Sequence, residues 1–153
     1  ADYMPPMFAD LLRRLTEPMP QTLPDPDARL ALTALLVRVA RSDGNYASDE
    51  ARLIERIVAE RYGLSPFEAP KLRAEAEELE AEAPDTVRFT RAIKDAVPYE
   101  DRAAVIEALW AVVLADGVRD EEETSLLRLV ANLLGINDRD SALARQRVEA
   151  RGN

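Results

Sequence analysis

The chain has 153 residues, 47% of them hydrophobic and 32% charged, a composition that suits one folded domain and not a disordered segment. It holds no Cys and no His, which excludes thiol nucleophiles, disulfides, thiolate metal centres, Ser-His-Asp triads and imidazole acid–base chemistry. Twenty basic residues stand against 29 acidic ones, for a net charge of −9, which opposes binding to a phosphate backbone, so no nucleic-acid partner is expected.

In chain order, the spacing predicts a short helix over about Pro6–Thr16. Pro18, Pro20, Pro24 and Pro26 then make Glu17–Asp27 an extended connector. Residues 1–26 therefore read as an N-terminal helix and Pro-rich connector, ahead of a helical domain over 27–153. Asp27–Asp43 is apolar on most sides, through Leu30, Leu32, Leu35, Leu36, Val37 and Val39, as a buried helix is. An amphipathic helix carrying Leu53, Ile54, Ile57 and Val58 follows it. Ser65–Ala83 and Asp85–Val97 continue the helical period. Ala103–Asp116 is again apolar nearly all round, and the next helix shows one apolar face with Leu126, Leu127, Val130, Leu133 and Leu134. Asn137–Arg151 closes the series. No stretch alternates with the period of a strand, so an all-α bundle of seven or eight helices is expected. The longest uncharged apolar run, Ala108–Ala115, is far short of the ~20 residues that span a bilayer. With no charged-then-apolar leader at its start, the chain is expected to be cytoplasmic, without direct membrane insertion. Ala1 reads as a processed or introduced end, with Met4 or Met7 as a natural start.

The two buried helices and their successors follow one plan, about 73 residues apart. Asp43-Gly44 answers Asp116-Gly117, Glu50 answers Glu123, Leu53 answers Leu126 and Ile57 answers Val130. After a one-residue deletion, Tyr62-Gly63-Leu64 answers Leu134-Gly135-Ile136. Each copy is a buried helix, an Asp-Gly turn, an acidic helix start, an apolar face and a glycine cap. Two such hairpins packed together predict a compact bundle with pseudo-two-fold character. The glycines form no GxGxxG and no GxxxxGK[ST], so the usual nucleotide cradles are absent.

Asp43 and Asp116 lie at the negative end of a helix dipole, where a carboxylate costs about 0.3–1 kcal/mol at an exposed site. Two readings account for them. In the local one, each Asp accepts from backbone N–H groups in an Asx-turn, Gly supplies the positive φ, and Ser48-Asp49-Glu50, like Asp120 with Glu121, Glu122 and Glu123, puts caps and negative charge at the next helix start. In the other, Asp43 with Glu50 and Asp116 with Glu123 offer hard oxygen ligands to Ca²⁺ or Mg²⁺. The Asp-Gly-x5-Glu spacing matches the second half of an EF-hand loop. The first ligand positions of such a loop would fall on Val39 and Arg41, or Val112 and Leu114, inside buried helices, so an EF-hand is rejected. The dense acidic run Glu75–Glu82 reads as a solvated helix face, or as a docking surface for a basic partner. Trp110 reads as core. Arg145, Arg147 and Arg151 read as complements to the dipole of the last helix.

Val39-Ala-Arg-Ser-Asp-Gly44 and Val113-Leu-Ala-Asp-Gly117, each followed by an acidic helix start, resemble the TerB-like domains, named after the tellurite resistance protein TerB. The similarity covers Asp27–Asn137, and Arg88–Pro98 resembles the stand-alone bacterial branch. The resemblance implies an all-helical fold with no enzymatic activity and an acidic metal or interaction site at the turns, carried here by Asp43, Glu50, Asp116 and Glu123. It also implies protein partners, among them membrane-associated components of stress-response systems. The expected function is a non-enzymatic interaction or scaffold module of tellurite and stress response that takes a divalent cation, Ca²⁺ or Mg²⁺. The alternative is a metal-dependent enzyme with carboxylate-only ligands, acting on phosphate-containing substrates. The chain departs from an even doubling at Arg41 and Ser42, where the second copy has Leu114 and Ala115, so the two turns are not expected to bind metal equally. Reduction of tellurite itself is not expected, because no thiol is present.

Overall fold

The structure, a computed structural model, describes residues 25–42, 44, 46–82, 86–115 and 121–151, without the side chains of 25–27 and 121–123. The expected first helix and most of its connector lie outside the described residues. Within them the fold is all-α, with seven helices and no strand. In chain order these are α1 (Asp25–Arg41), α2 (Ser48–Tyr62), α3 (Glu68–Glu82), α4 (Thr86–Ala96), a 3₁₀ turn (Tyr99–Asp101), α5 (Arg102–Leu114), α6 (Glu121–Leu133) and α7 (Asp138–Arg151).

The two helices that are apolar all round occupy the centre, as their composition demands. In α1, Leu30 to Val37 are all buried, together with Val39 and Ala40. Thr33 is accommodated there because its hydroxyl donates to the Arg29 carbonyl one turn back, at 2.7 Å. In α5, Val105, Ile106, Leu109, Trp110, Val112 and Val113 are buried. Helices α3, α4, α2 and α5 pack around α1, whereas α7 lies across α5. One continuous core results, to which α2 contributes Ile54 and Val58, α4 Phe89 and Ile93, and α6 Leu127 and Val130. The Trp110 indole N–H donates to the Ser141 hydroxyl at 3.1 Å, so its one polar atom is satisfied inside that core.

Residues 72 or 73 apart fill corresponding local roles. Gly63 and Gly135 both close a helix in the left-handed region, at φ 66° and 79°. In each case the next residue donates back five positions, Leu64 to Ala59 and Ile136 to Ala131, which satisfies a helix-end carbonyl. Ser65 and Asn137 cap the helices that follow, their side-chain oxygens accepting from Glu68 N and Asp140 N. Arg29 lies over the Tyr62 ring at the end of α2, and Arg102 donates to the Leu134 carbonyl at the end of α6. Among the described residues, no helix is long and apolar enough to cross a membrane.

Candidate functional site

The first Asp-Gly turn leaves α1 through Ser42, whose N–H and hydroxyl both donate to the Val39 carbonyl. Gly44 follows at φ 79°, donating its N–H to the Arg41 carbonyl at 2.9 Å. Only glycine takes that backbone conformation without steric cost. At the far end of the loop Ala47 precedes α2, and it has no side-chain acceptor to cap the helix. Glu50 supplies the missing contact from the other direction, its Oε1 accepting from the Ala47 N–H at 3.3 Å. Glu50 is buried, with 8% of its surface exposed.

The loop is clamped to α3. The Tyr46 hydroxyl donates to Glu77 at 2.7 Å, and Arg41, its guanidinium 5.2 Å from the Tyr46 ring centre, pairs with Glu80. Arg38 donates through Nε to the Glu80 carboxylate and through Nη2 to the Glu80 carbonyl, both at 3.0 Å, and lies over the Phe89 ring. Arg73 pairs with both Glu77 and Glu55 of α2. The network thus joins α1, α2, α3 and the loop. The acidic run is accordingly not one solvated face: Glu77 and Glu80 turn inward to these cations, whereas Glu78 and Glu82 are exposed.

This packing sets the ionisation of the groups involved. Burial, then the hydrogen bond to Glu77, pushes the Tyr46 hydroxyl up to about 12. Burial works against the charged form of Arg73, but Glu55, Tyr46 and Glu77 outweigh it and hold the guanidinium above its ordinary value. Burial, with the neighbouring Glu78 charge, raises the Glu75 carboxyl despite Lys71. The Glu68 carboxyl is lowered by the backbone N–H and hydroxyl of Ser65.

Of the four carboxylates expected at the turns, Glu50 alone can be placed in full. Asp43 and Asp116 lie outside the described residues, and so does the side chain of Glu123, in the first turn of α6. Among the described residues no group of three or more Asp or Glu is arranged to hold a metal ion. The last-helix arginines do more than complement a dipole. Arg147 and Arg151 both pair with Glu107 of α5, and Arg145 lies over the Trp110 ring.

A groove of about 510 Å³ opens between α2, α5 and α7. Leu53, Ala111, Leu114 and Val148 line it, with Arg56 and Glu149 as its charged residues. Leu114 and Ala115 there stand 73 residues after Arg41 and Ser42, which the clamp fills in the first half. None of the groups with shifted ionisation lines this groove.

A sequence model of the family described as tellurite resistance protein TerB matches residues 29–146, more than three quarters of the chain. No curated protein and no solved structure matches it. The matched span begins in the first turns of α1 and ends within α7, taking in both buried helices and both Asp-Gly turns. The chain therefore belongs to the TerB family of tellurite resistance proteins.

Proposed function

We propose that the chain is a non-catalytic interaction module of a tellurite or other stress-response assembly, and that its acidic turns bind a divalent cation. The observation that carries this reading is the clamp on the first turn: Tyr46 and Arg41 fix the loop to Glu77 and Glu80. Arg41 and Tyr46, held in this way, present the same surface whenever a partner arrives, so little ordering cost at these residues falls on association. Tyr46 and Arg73 tie elements together and Glu68 serves a cap, and no group with shifted ionisation lines the groove between α2, α5 and α7, which is not how acid–base catalysis is arranged. TerB is in general a family of non-catalytic domains.

Asp43 with Glu50, and Asp116 with Glu123, are the ligands assigned to the cation, Ca²⁺ or Mg²⁺. Carboxylate oxygens are the donors these hard ions prefer. The buried Glu50 carboxylate at the end of the first loop supports the assignment. Such an ion would draw the loop and the start of α2 together and add positive charge to an acidic surface. A hydrolase acting on phosphate compounds would instead need the four carboxylates to converge beside a basic group at the mouth of a pocket.

Thermal unfolding after chelation, with Ca²⁺ or Mg²⁺ titrated back, tests the cation. An ion present at 100 times its dissociation constant stabilises by about 2.7 kcal/mol, which is several degrees for a domain of this size. The expected result is a saturable rise in Tm that is lost in the Asp43→Asn/Asp116→Asn double variant. An unchanged Tm in the wild-type chain would return these carboxylates to a purely turn-forming role.

A further inference from the structure

Helices α6 and α7 pack against each other on either side of the Gly135 turn, and polar residues recur on both at helical spacing. Thr124 and Arg128 lie one turn apart on α6, and Asp138, Ser141, Ala142 and Arg145 share one face of α7. With Trp110 of α5 they line a pocket of about 240 Å³, separate from the clamp on the first turn. The arginines of that clamp pair with carboxylates, as do Arg147 and Arg151. The two that line this pocket are placed differently. Among the described residues Arg128 is exposed and forms no ion pair. Arg145 stands 3.9 Å from Glu149, beyond hydrogen-bond distance, and its buried Nε has no acceptor. It is held over the Trp110 ring instead, 5.6 Å from the ring centre, which positions a guanidinium without neutralising it.

Hydroxyls complete the set. The Ser141 oxygen accepts from the Trp110 indole N–H, in a residue only 7% exposed. That bond engages the oxygen as an acceptor and leaves its O–H to donate. Thr124 brings a second hydroxyl one turn from Arg128. We propose that this pocket binds the phosphate group of a small phosphomonoester, with Arg128 and Arg145 as its cations and Ser141 and Thr124 as its hydroxyl donors.

Guanidiniums on two different helices approach different oxygens of a tetrahedral phosphate, and charge-assisted bonds of this kind are the strong ones. A carboxylate offers fewer oxygens and less charge to the same donors. The volume is below the ~300–1,000 Å³ of drug-sized pockets, which suits a phosphate on a short carbon chain, and Trp110 and Ala142 give that chain an apolar wall. Asp138 is the one carboxylate among the described lining residues, and it opposes the anion. The net charge of −9 repels anions at long range, but ~0.1 M salt screens that repulsion beyond about 10 Å and leaves contacts inside the pocket in force. This site stands apart from the cation assigned to the acidic turns, so either can fail without the other.

The single tryptophan reports on the site directly, because its indole N–H is bonded to Ser141. Glycerol 3-phosphate titrated into the full chain at constant ionic strength should shift the Trp110 indole N–H resonance saturably, and sodium chloride should not. Arg128→Gln should weaken binding about tenfold or more, the equivalent of one charge-assisted hydrogen bond. Because Arg128 has no ion pair to lose, that variant should keep the wild-type urea midpoint. Asp138→Asn should tighten binding severalfold. Arg139→Gln removes an exposed cation of the same helix that does not line the pocket, and should leave the affinity as it is. Inorganic phosphate should bind more weakly than the ester, and acetate more weakly still. No saturable shift with glycerol 3-phosphate overturns the proposal, and so do equal losses in Arg128→Gln and Arg139→Gln, which would mean diffuse attraction to the surface. Acetate binding as tightly as the ester overturns the phosphate assignment, and tighter binding of inorganic phosphate overturns the ester in favour of the free ion.

Discussion

Arg102 donates to three carbonyls: Val97 from Nε at 3.1 Å, Lys94 from Nη2 at 3.0 Å and Leu134 from Nη1 at 3.2 Å. Two of these residues close α4 and the third closes α6, where helix ends leave carbonyls without intrahelical partners. A planar guanidinium reaches them from three separate nitrogens, whereas an ammonium would have to reach all three from one atom. Arg102→Ala should therefore cost about 2–3 kcal/mol by urea unfolding, with Arg102→Lys recovering less than half. Tyr46 makes a different prediction. Its hydroxyl is held up to about 12, by burial and by Glu77, against 10.0 for an ordinary tyrosine. A raised pKa means that the folded state keeps the proton longer than the unfolded chain does. The stability it contributes is full below about pH 10 and is lost as pH rises towards 12. Thermal unfolding across pH 9–11.5 should show a decline that is shallower in Tyr46→Phe, and phenolate absorbance should show one of the four tyrosines titrating last.

Among the elements, α3 carries the largest difference between pattern and structure. Its acidic run has the look of a solvated face because adjacent carboxylates repel and normally face water. What turns two of them inward is contacts that lie 31 to 42 residues away in the chain, to Tyr46, Arg41 and Arg38. No local periodicity encodes such pairs, so the clamp was not legible. The buried helices were, because α1 and α5 have too little polar surface to lie anywhere but the centre, and the caps at Gly63 and Gly135 were legible for the same local reason. Ser65-x-x-Glu68 has the spacing of a capping box, and the Ser65 N–H donates to Glu68 at 2.9 Å. Of the candidate cation ligands, spacing placed Glu50 at a helix start correctly, and it could say nothing of its burial. The clamp predicts that Glu80→Gln, at a side chain only 13% exposed, should cost about 2 kcal/mol, since Arg38 and Arg41 both lose the charge of the carboxylate they share. Glu82→Gln, on the exposed side of the same helix, should change the unfolding free energy from urea titration by less than about a tenth of that amount. Equal effects at the two positions would mean that the inward pairing contributes nothing.

For the whole molecule, the question is whether two similar halves unfold together. Helices α1 and α5 are each the buried centre of one half, and they pack against each other, while α2 and α6 each also reach the opposite central helix. Side chains of both halves share one continuous core, from Leu32 and Ile54 to Leu109 and Leu127. Removing either half would expose the apolar surface of the other central helix, which is unfavourable by about 25 cal/mol for each Å². Local similarity between halves does not by itself give independent stability when the two central helices bury one another. The single tryptophan allows this to be measured, because Trp110 is buried at the α5–α7 contact and reports on the second half alone. Far-UV circular dichroism reports on helices of both halves. The two signals should give coincident urea transitions with the same midpoint and slope, as a two-state domain requires. Arg38→Ala, although it lies in the first half, should then shift the Trp110 transition and the dichroism transition by equal amounts. A tryptophan transition that stays in place while the dichroism curve splits would show that the second half stands alone, and the shared core would have to be weaker than its burial indicates.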